Sequence, residues 1–333
     1  MTAPPVLLLT RRDVAALLHL DDCIAAVETA FRLQGEDRAP RPGVLGYPAG
    51  GGGFHIKAAA LTVSRSYFAA KINANYSENP KRFGLPAIQG LVVLCDAESG
   101  SPLAVMDSIE ITILRTAAAT AVAARSLARP DSRTVTVYGC GNQGRSHLRA
   151  LARVLPIARA RVYDVDAGAA RSLALTLADE LAFPVEAVAD PAAAARSSDV
   201  CVTCTPSRRA FLRREDISAG AFVAAVGADA PDKQELEPAL VAAGRLVVDS
   251  LDQCAAMGEL HHALAEGLLD RGAVAAELPE VVAGKKPGRL TSDEIIVFDS
   301  TGVAIEDVAA AAAVYERACA AGRGAALDLC RAT

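Results

Sequence analysis

The sequence contains no tryptophan, and aromatics make up only 4% of its 333 residues. Its cores must therefore close on small aliphatic side chains, and alanine supplies much of the 52% hydrophobic fraction. No run approaches the ~20 uninterrupted apolar residues of a membrane span, because charges break every alanine-rich stretch. Val6-Leu7-Leu8-Leu9 is too short for a secretory core, and Arg11 and Arg12 follow it rather than precede it. The expectation is a cytoplasmic chain with no membrane partner. A basic excess is also missing: the net charge is −5, and the Arg-Arg pairs at 11–12, 208–209 and 213–214 are isolated. That argues against a nucleic-acid partner. No segment is low in complexity, and the length suits two domains.

The eight cysteines (Cys23, Cys95, Cys140, Cys201, Cys204, Cys254, Cys319 and Cys330) are scattered without a disulfide-like spacing. Without a secretory signal they read mostly as buried thiols. Cys201 and Cys204 have C-x-x-C spacing, but in a strand-like run positions three apart face opposite sides. No second pair lies at a zinc-ribbon distance, so no metal is expected there. Nor is one expected at His261-His262, since adjacent helical side chains diverge by about 100°.

The most informative stretch that is present runs from Thr134 to Gly144, TVTVYGCGNQG. A β-branched strand leads into a G-x-G-x-x-G turn, and the residues after it read as a helix. Gly139 allows the tight turn, Gly141 lets backbone approach a pyrophosphate, and Gly144 lets helix and strand pack closely. The helix N-terminus then presents unpaired N–H groups to phosphate, with Asn142 and Gln143 in the turn. A second strand ends in Asp164, twenty residues beyond Gly144, where a dinucleotide fold places the acid for the ribose 2′-hydroxyl. An acid there repels a 2′-phosphate, so the cofactor expected is NAD.

Around this turn the chain alternates strand and helix, with strands expected at 135–138, 161–163, 185–188, 200–203, 222–226, 246–248 and 295–298. That alternation predicts an α/β fold with a doubly wound parallel (Rossmann) sheet. The earlier part reads differently. The first ~35 residues look helical, with Thr10 capping one helix and Asp21-Asp22 preceding the next. A Pro- and Gly-rich loop follows over 38–53, then antiparallel strands at 54–61, 67–72, 90–95 and 103–106, the last two joined by a turn at 96–101. This is an α+β segment. Helices at 116–128 and 305–321 complete the pattern. The domains expected are 1–115, with 305–333 returning to it, and 116–304.

Several polar residues stand out against this apolar background. Lys71 interrupts the strand YFAAKIN, and Lys57 repeats the pattern one strand earlier. A lysine there either has a task or snorkels to water. Arg115, at the start of the helix that joins the two halves, is placed either to grip a carboxylate or to make an ion pair. Asp229 follows the strand at 222–226. Ligands of doubly wound sheets bind outside the carboxyl ends of strands, which makes Asp229 a candidate proton acceptor or an ordinary turn residue. Thr205, Val226 and Ser300 occupy the same edge as candidate cofactor contacts.

Ordered along the chain, these segments resemble the ornithine cyclodeaminase/mu-crystallin family. The resemblance rests on Arg41-Pro42, on Lys71 with Asn79, and on Gly84-Leu85-Pro86. It continues through Asp96-Ala97-Glu98-Ser99-Gly100 and Leu114-Arg115-Thr116-Ala117-Ala118 to the glycine turn. Val226-Gly227-Ala228-Asp229, Gly258-Glu259-Leu260, Gly288-Arg289 and Phe298-Asp299-Ser300-Thr301-Gly302 complete it. The resemblance implies a homodimeric NAD-dependent enzyme with a substrate-binding and dimerisation domain ahead of the Rossmann domain. Arg41, Lys71 and Arg115 would hold an amino-acid carboxylate near the nicotinamide, and Asp229 would act as acid/base on the amine. The reaction would be cyclodeamination of the ornithine type. Alternatively it would be net redox, as in alanine-type dehydrogenases and reductases of cyclic imines such as pyrroline-2-carboxylate. A non-catalytic carrier like mu-crystallin is the reading from another class. One departure concerns substrate: ornithine cyclodeaminases have an acid about a dozen residues before the strand lysine, where this chain has Lys57. If Lys57 faces the substrate, a cationic tail is repelled; if it faces outward, the objection disappears.

Overall fold

The computed structural model describes residues 5–329; Cys330 and the outermost residues of the expected 1–115 and 305–333 segments lie outside them. The chain divides into two compact units, Met1–Arg115 with Val303–Thr333 and, between them in sequence, Thr116–Gly302. Among the described residues no helix is long and apolar enough to cross a membrane.

The discontinuous unit is built on a seven-stranded sheet. In chain order its strands are β1 (Val6–Leu9), β2 (Gly43–Ala49), β3 (Gly52–Thr62), β4 (Ser66–Asn75), β5 (Ile88–Asp96) and β6 (Pro102–Asp107), with β17 (Ala325–Leu327) from the returning segment. Their order across the sheet is β17-β1-β6-β5-β4-β3-β2. All neighbours are antiparallel except β1 and β6, which run parallel. Helices α1 (Arg11–Leu17), α2 (Leu20–Gly35), the short α3 (Asn79–Arg82) and the first part of α4 (Ile109–Leu127) belong to it, as does the last helix. That helix, α12 (Ala304–Ala321), packs on β3, β4 and β5 and against α2. Alanine at half of its positions lets it lie close to the sheet. Thr10 caps α1 through a capping box with Asp13, as expected.

Four expectations for this unit need correction. Residues 38–53 are not all loop, because β2 forms there as the edge strand. An edge tolerates Pro48 and the glycines, since only one side needs backbone hydrogen bonds. Val6–Leu9 is a strand, paired parallel to β6, so the unit is not purely antiparallel. Asp21 and Asp22 lie inside the first turn of α2 rather than ahead of it. Helix α4 starts at Ile109, so Arg115 is within the helix and not at its start. The β-branched run Ile111-Thr112-Ile113 concealed that start, since such residues favour strands when read locally.

The second unit is an eight-stranded sheet in which every pairing is parallel. Its strands are β7 (Thr134–Tyr138), β8 (Arg159–Tyr163), β9 (Val185–Ala187), β10 (Val200–Thr203), β12 (Phe222–Ala225), β14 (Arg245–Val248), β15 (Ala276–Glu277) and β16 (Ile296–Asp299). Between them β11 (Arg208–Leu212) and β13 (Gln234–Leu236) form a separate two-stranded ribbon. The intervening helices are α5 (Asn142–Val154), α6 (Ala167–Glu180), α7 (Pro191–Arg196), α8 (Pro238–Ala243), α9 (Leu251–Met257), α10 (Glu259–Ala265) and α11 (Leu278–Val282). The central strands β10, β12 and β16 are buried at every position, the mark of a sheet covered on both faces. The strand order is β15-β14-β16-β12-β10-β7-β8-β9, so the chain runs outward from β7 to β9 and then returns to β10 on β7's other side. That reversal is a topological switch point, where such sheets bind ligands at the carboxyl ends of the strands. This is the Rossmann arrangement read from the sequence.

Candidate active site

The glycine turn sits at the switch point. Gly139 has φ +100°, and a Cβ there would stand 2.8 Å from the Cys204 carbonyl oxygen. At Gly144 a Cβ would come within 1.9 Å of the Gly139 carbonyl. These two glycines are thus required by backbone geometry and by close approach. Gly141 is different: a Cβ there would meet nothing within 4 Å, so the space beside the turn is open to a ligand. Gly141 also caps α5 without a side-chain hydrogen bond, which leaves the first-turn amides, from the exposed Asn142 and the half-buried Gln143 onward, facing that space. These features fit the diphosphate of a dinucleotide.

Asp164 stands just past the end of β8. Its Oδ2 accepts the Cys140 N–H at 2.8 Å and its Oδ1 accepts the Asp166 N–H at 3.0 Å. The acid that the sequence assigns to ribose is thus tied to the glycine turn itself, and a carboxylate retains further lone pairs for hydroxyl donors. Two of the other edge residues, Thr205 and Ser300, are held by buried carboxylates. Thr205 donates its N–H and its hydroxyl to Glu235 Oε1, at 2.6 and 2.8 Å. Ser300 directs its hydroxyl to Asp249 Oδ2 at 3.1 Å. Val226, just past β12, donates its N–H to the Thr203 carbonyl at 2.9 Å. Asp229 is exposed in the following turn, where its Oδ1 lies 2.5 Å from Lys233 Nζ.

The Cys201–Cys204 pair is unlike a redox or zinc motif in its chemistry. Burial pushes the Cys201 thiol up to about 12 and the Cys204 thiol well above its ordinary value, so both stay protonated. The rings of His261 and His262 turn to separate backbone carbonyls, those of Ala255 and Lys233.

In the discontinuous unit, Lys57 on β3 and Lys71 on β4 are direct partners across the ladder and therefore share a face. Both are buried, at 8% and 3% exposure. The sequence left the direction of Lys57 open, and the register places it beside Lys71. Lys71 Nζ donates to Asp307 Oδ1 at 2.8 Å. From α4, Arg115 Nη1 donates to Glu306 Oε2 at 2.6 Å, and its Nε lies 2.9 Å from Asp307 Oδ1. Arg41 is exposed ahead of β2.

Glu306 and Asp307, which the sequence reading missed, occupy the first turn of α12, where the helix dipole favours negative charge. Their one local signal was an acidic pair opening an alanine-rich helix. Burial alone would raise the Asp307 pKa, but the Arg115 and Lys71 charges outweigh it and hold the carboxyl below its ordinary value. Burial, followed by the Arg115 charge, lowers Lys71 to about 7. The cluster thus sets three cationic side chains (Lys57, Lys71 and Arg115) against two carboxylates.

A parallel sheet with a glycine turn at its switch point defines the second unit as a nicotinamide-dinucleotide-binding module of an oxidoreductase-type enzyme. The chain belongs to the ornithine cyclodeaminase/mu-crystallin family, whose model matches residues 6–322. A putative dehydrogenase of Rhizobium meliloti is 40% identical, over 95% of this chain and 97% of its own. Among solved structures, an archaeal alanine dehydrogenase dimer with bound NAD matches at a TM-score of 0.93 and 37% identity, covering 97% of this chain and 99% of that one. A Thermococcus litoralis Δ1-pyrroline-2-carboxylate reductase, solved with NADH and L-proline, matches at 0.92 and 33% identity, covering 97% and 100%.

Proposed function

We propose that this protein is an NAD(H)-dependent enzyme that transfers hydride at the α-carbon of an L-amino acid or its imine, working by net redox rather than by cyclodeamination of ornithine. The observation that carries the choice is the buried Lys57–Lys71 pair. A substrate whose carboxylate meets Lys71 and Arg115 brings its side chain near Lys57. A terminal ammonium there would meet a like charge in a poorly solvated setting, whereas a neutral or anionic side chain would not.

NAD, when bound, supplies or accepts the hydride, and the glycine turn, Asp164 and the edge residues Thr205, Val226 and Ser300 would hold it. Lys71 and Arg115 bind and orient the substrate carboxylate, with Arg41 reaching it from the segment before β2. Asp229 gives a proton to the imine nitrogen as hydride reaches carbon, and in the reverse direction removes it from the amine. The balance is one hydride to carbon and one proton to nitrogen. Lys71, close to neutrality in pKa, binds the carboxylate in its protonated form.

The protein is also read as a homodimer. On the open face of the seven-stranded sheet Leu45, Ile56, Ile72 and Leu91 are successive cross-strand partners on β2, β3, β4 and β5. Leu45, Ile72 and Leu91 are 56%, 39% and 50% exposed, and a second copy would cover such a row.

Purified protein with NADH and a panel of pyrroline-2-carboxylate, pyruvate plus ammonium, and oxaloacetate plus ammonium tests the reading, set beside ornithine with NAD⁺. NADH consumption with at least one of the first three, without ammonia release from ornithine, is the expected result. Binding of NADH without turnover of any of them would make the protein a carrier instead.

A further inference from the structure

The loop that carries Asp229 is closed by a residue six positions further on. Glu235, on β13, is fully buried. Its Oε2 accepts the Gly227 N–H at 2.8 Å, so its side chain ties off the entry of the 227–235 loop while its own backbone forms the exit. Its Oε1 accepts the Thr205 N–H and hydroxyl at 2.6 and 2.8 Å, and thereby joins that loop to the segment leaving β10. The fit is close: a Cβ on Gly227 would stand 2.5 Å from the Glu235 carboxyl group. Glu235 is itself held, since its N–H donates to Glu259 Oε1 at 2.7 Å. Glu259 opens α10, and the next residue, Leu260, donates its N–H to Asp299 Oδ2 at 2.9 Å at the end of β16. A chain of buried acids thus connects the carboxyl ends of three adjacent strands, β10, β12 and β16. On the far side of the loop, the His262 ring nitrogen meets the Lys233 carbonyl at 2.8 Å, and Lys233 is the residue paired with Asp229.

We infer that Glu235 is a positioning residue that sets the Asp229 loop for turnover, by accepting hydrogen bonds from Gly227 and Thr205 at once. The inference rests on the acid/base role proposed for Asp229. Each Glu235 carboxyl oxygen accepts a backbone N–H, from Thr205 at one and Gly227 at the other, so the position requires acceptors on both oxygens. An amide cannot provide them. In Glu235→Gln the NH₂ group must face either the Gly227 N–H or the Thr205 N–H, and a buried donor is left unpaired.

The test combines amide hydrogen exchange with a double-mutant cycle on Glu235→Gln and Asp229→Asn. Exchange in Glu235→Gln is expected to accelerate about ten- to a hundredfold over residues 227–233, with the strands of the eight-stranded sheet unchanged. With saturating NADH and the best substrate of the panel, kcat is expected to fall by a similar factor. In the Asp229→Asn background the second substitution should have no further effect on kcat. Thr205→Val, which removes a single donor, should give a smaller acceleration over the same residues and serves if Glu235→Gln does not fold. Unchanged exchange over 227–233 would overturn the inference, and so would kcat losses that simply multiply. Wild-type turnover in Asp229→Asn would instead defeat the acid/base reading, with exchange still reporting the tie.

Discussion

Lys57 and Lys71 face each other across adjacent antiparallel strands, both buried, and Lys71 donates to the Asp307 carboxylate at 2.8 Å. Lys57 also acts on that acid through space, helping to hold its pKa down. Two like charges kept this close in a protein interior mark the position as one that favours anions.

Substituting Lys57→Glu reverses the balance of the cluster. The KM for a carboxylate substrate should rise about tenfold or more, the effect of roughly 1.4 kcal/mol of lost attraction. The Kd for NADH should stay constant. Steady-state kinetics and a fluorescence titration measure the two, and an unchanged KM would mean that Lys57 does not sense the substrate.

The pH dependence follows from Lys71, whose pKa burial and then the Arg115 charge lower to about 7. The protonated lysine binds carboxylate, so the attraction is present below about 7 and is lost as pH rises through that value. Since kcat/KM reports the free enzyme, it should fall on the alkaline side of about 7. Lys71→Met should be weak at every pH and lack that descending limb. A limb that persists in Lys71→Met would assign it to another group.

How much of this cluster was legible beforehand differs by element. The Rossmann half could be read because its strands are short β-branched runs buried on both faces, and because the glycine turn stands between a strand and a helix with Asp164 twenty residues further on. Lys71 and Arg115 were visible as charges in apolar surroundings. Their partners were not, since Asp307 meets Lys71 across 236 positions of sequence. In isolation, the acidic pair that opens α12 looks like an ordinary helix start. The edge strand β2 was hidden by proline and glycine, which act as loop signals in sequence and are tolerated at a sheet edge in three dimensions. The face taken by Lys57 depended on strand register, which the turns and the packing set together.

Removing Asp307 should cost stability. Asp307→Asn leaves the Lys71 and Arg115 cations without their shared carboxylate in a buried site, and breaking such pairs typically costs about 3–5 kcal/mol. Urea unfolding measures it, and a loss below about 1 kcal/mol would show that the pair is replaceable.

Asp229→Ala distinguishes catalyst from carrier. As acid/base, Asp229 should account for about 10²–10⁴ in kcat, with NADH affinity retained. A carrier would keep its ligand affinities, with no turnover to lose.

The exposed row Leu45, Ile72 and Leu91 should govern assembly. The double substitution Ile72→Lys with Leu91→Lys is expected to give monomers by analytical ultracentrifugation, whereas the unchanged protein sediments as a dimer. A dimer that survives both substitutions would place the interface elsewhere.

The most direct test of hydride transfer at the α-carbon follows a label. NADH carrying deuterium at the transferable nicotinamide position is incubated with the protein and the imine or oxo acid plus ammonium that it consumes, and the product is analysed by mass spectrometry and NMR. One deuterium at the α-carbon of the resulting L-amino acid is the outcome expected here. An amino acid without deuterium at that carbon, or label lost to water, would contradict it.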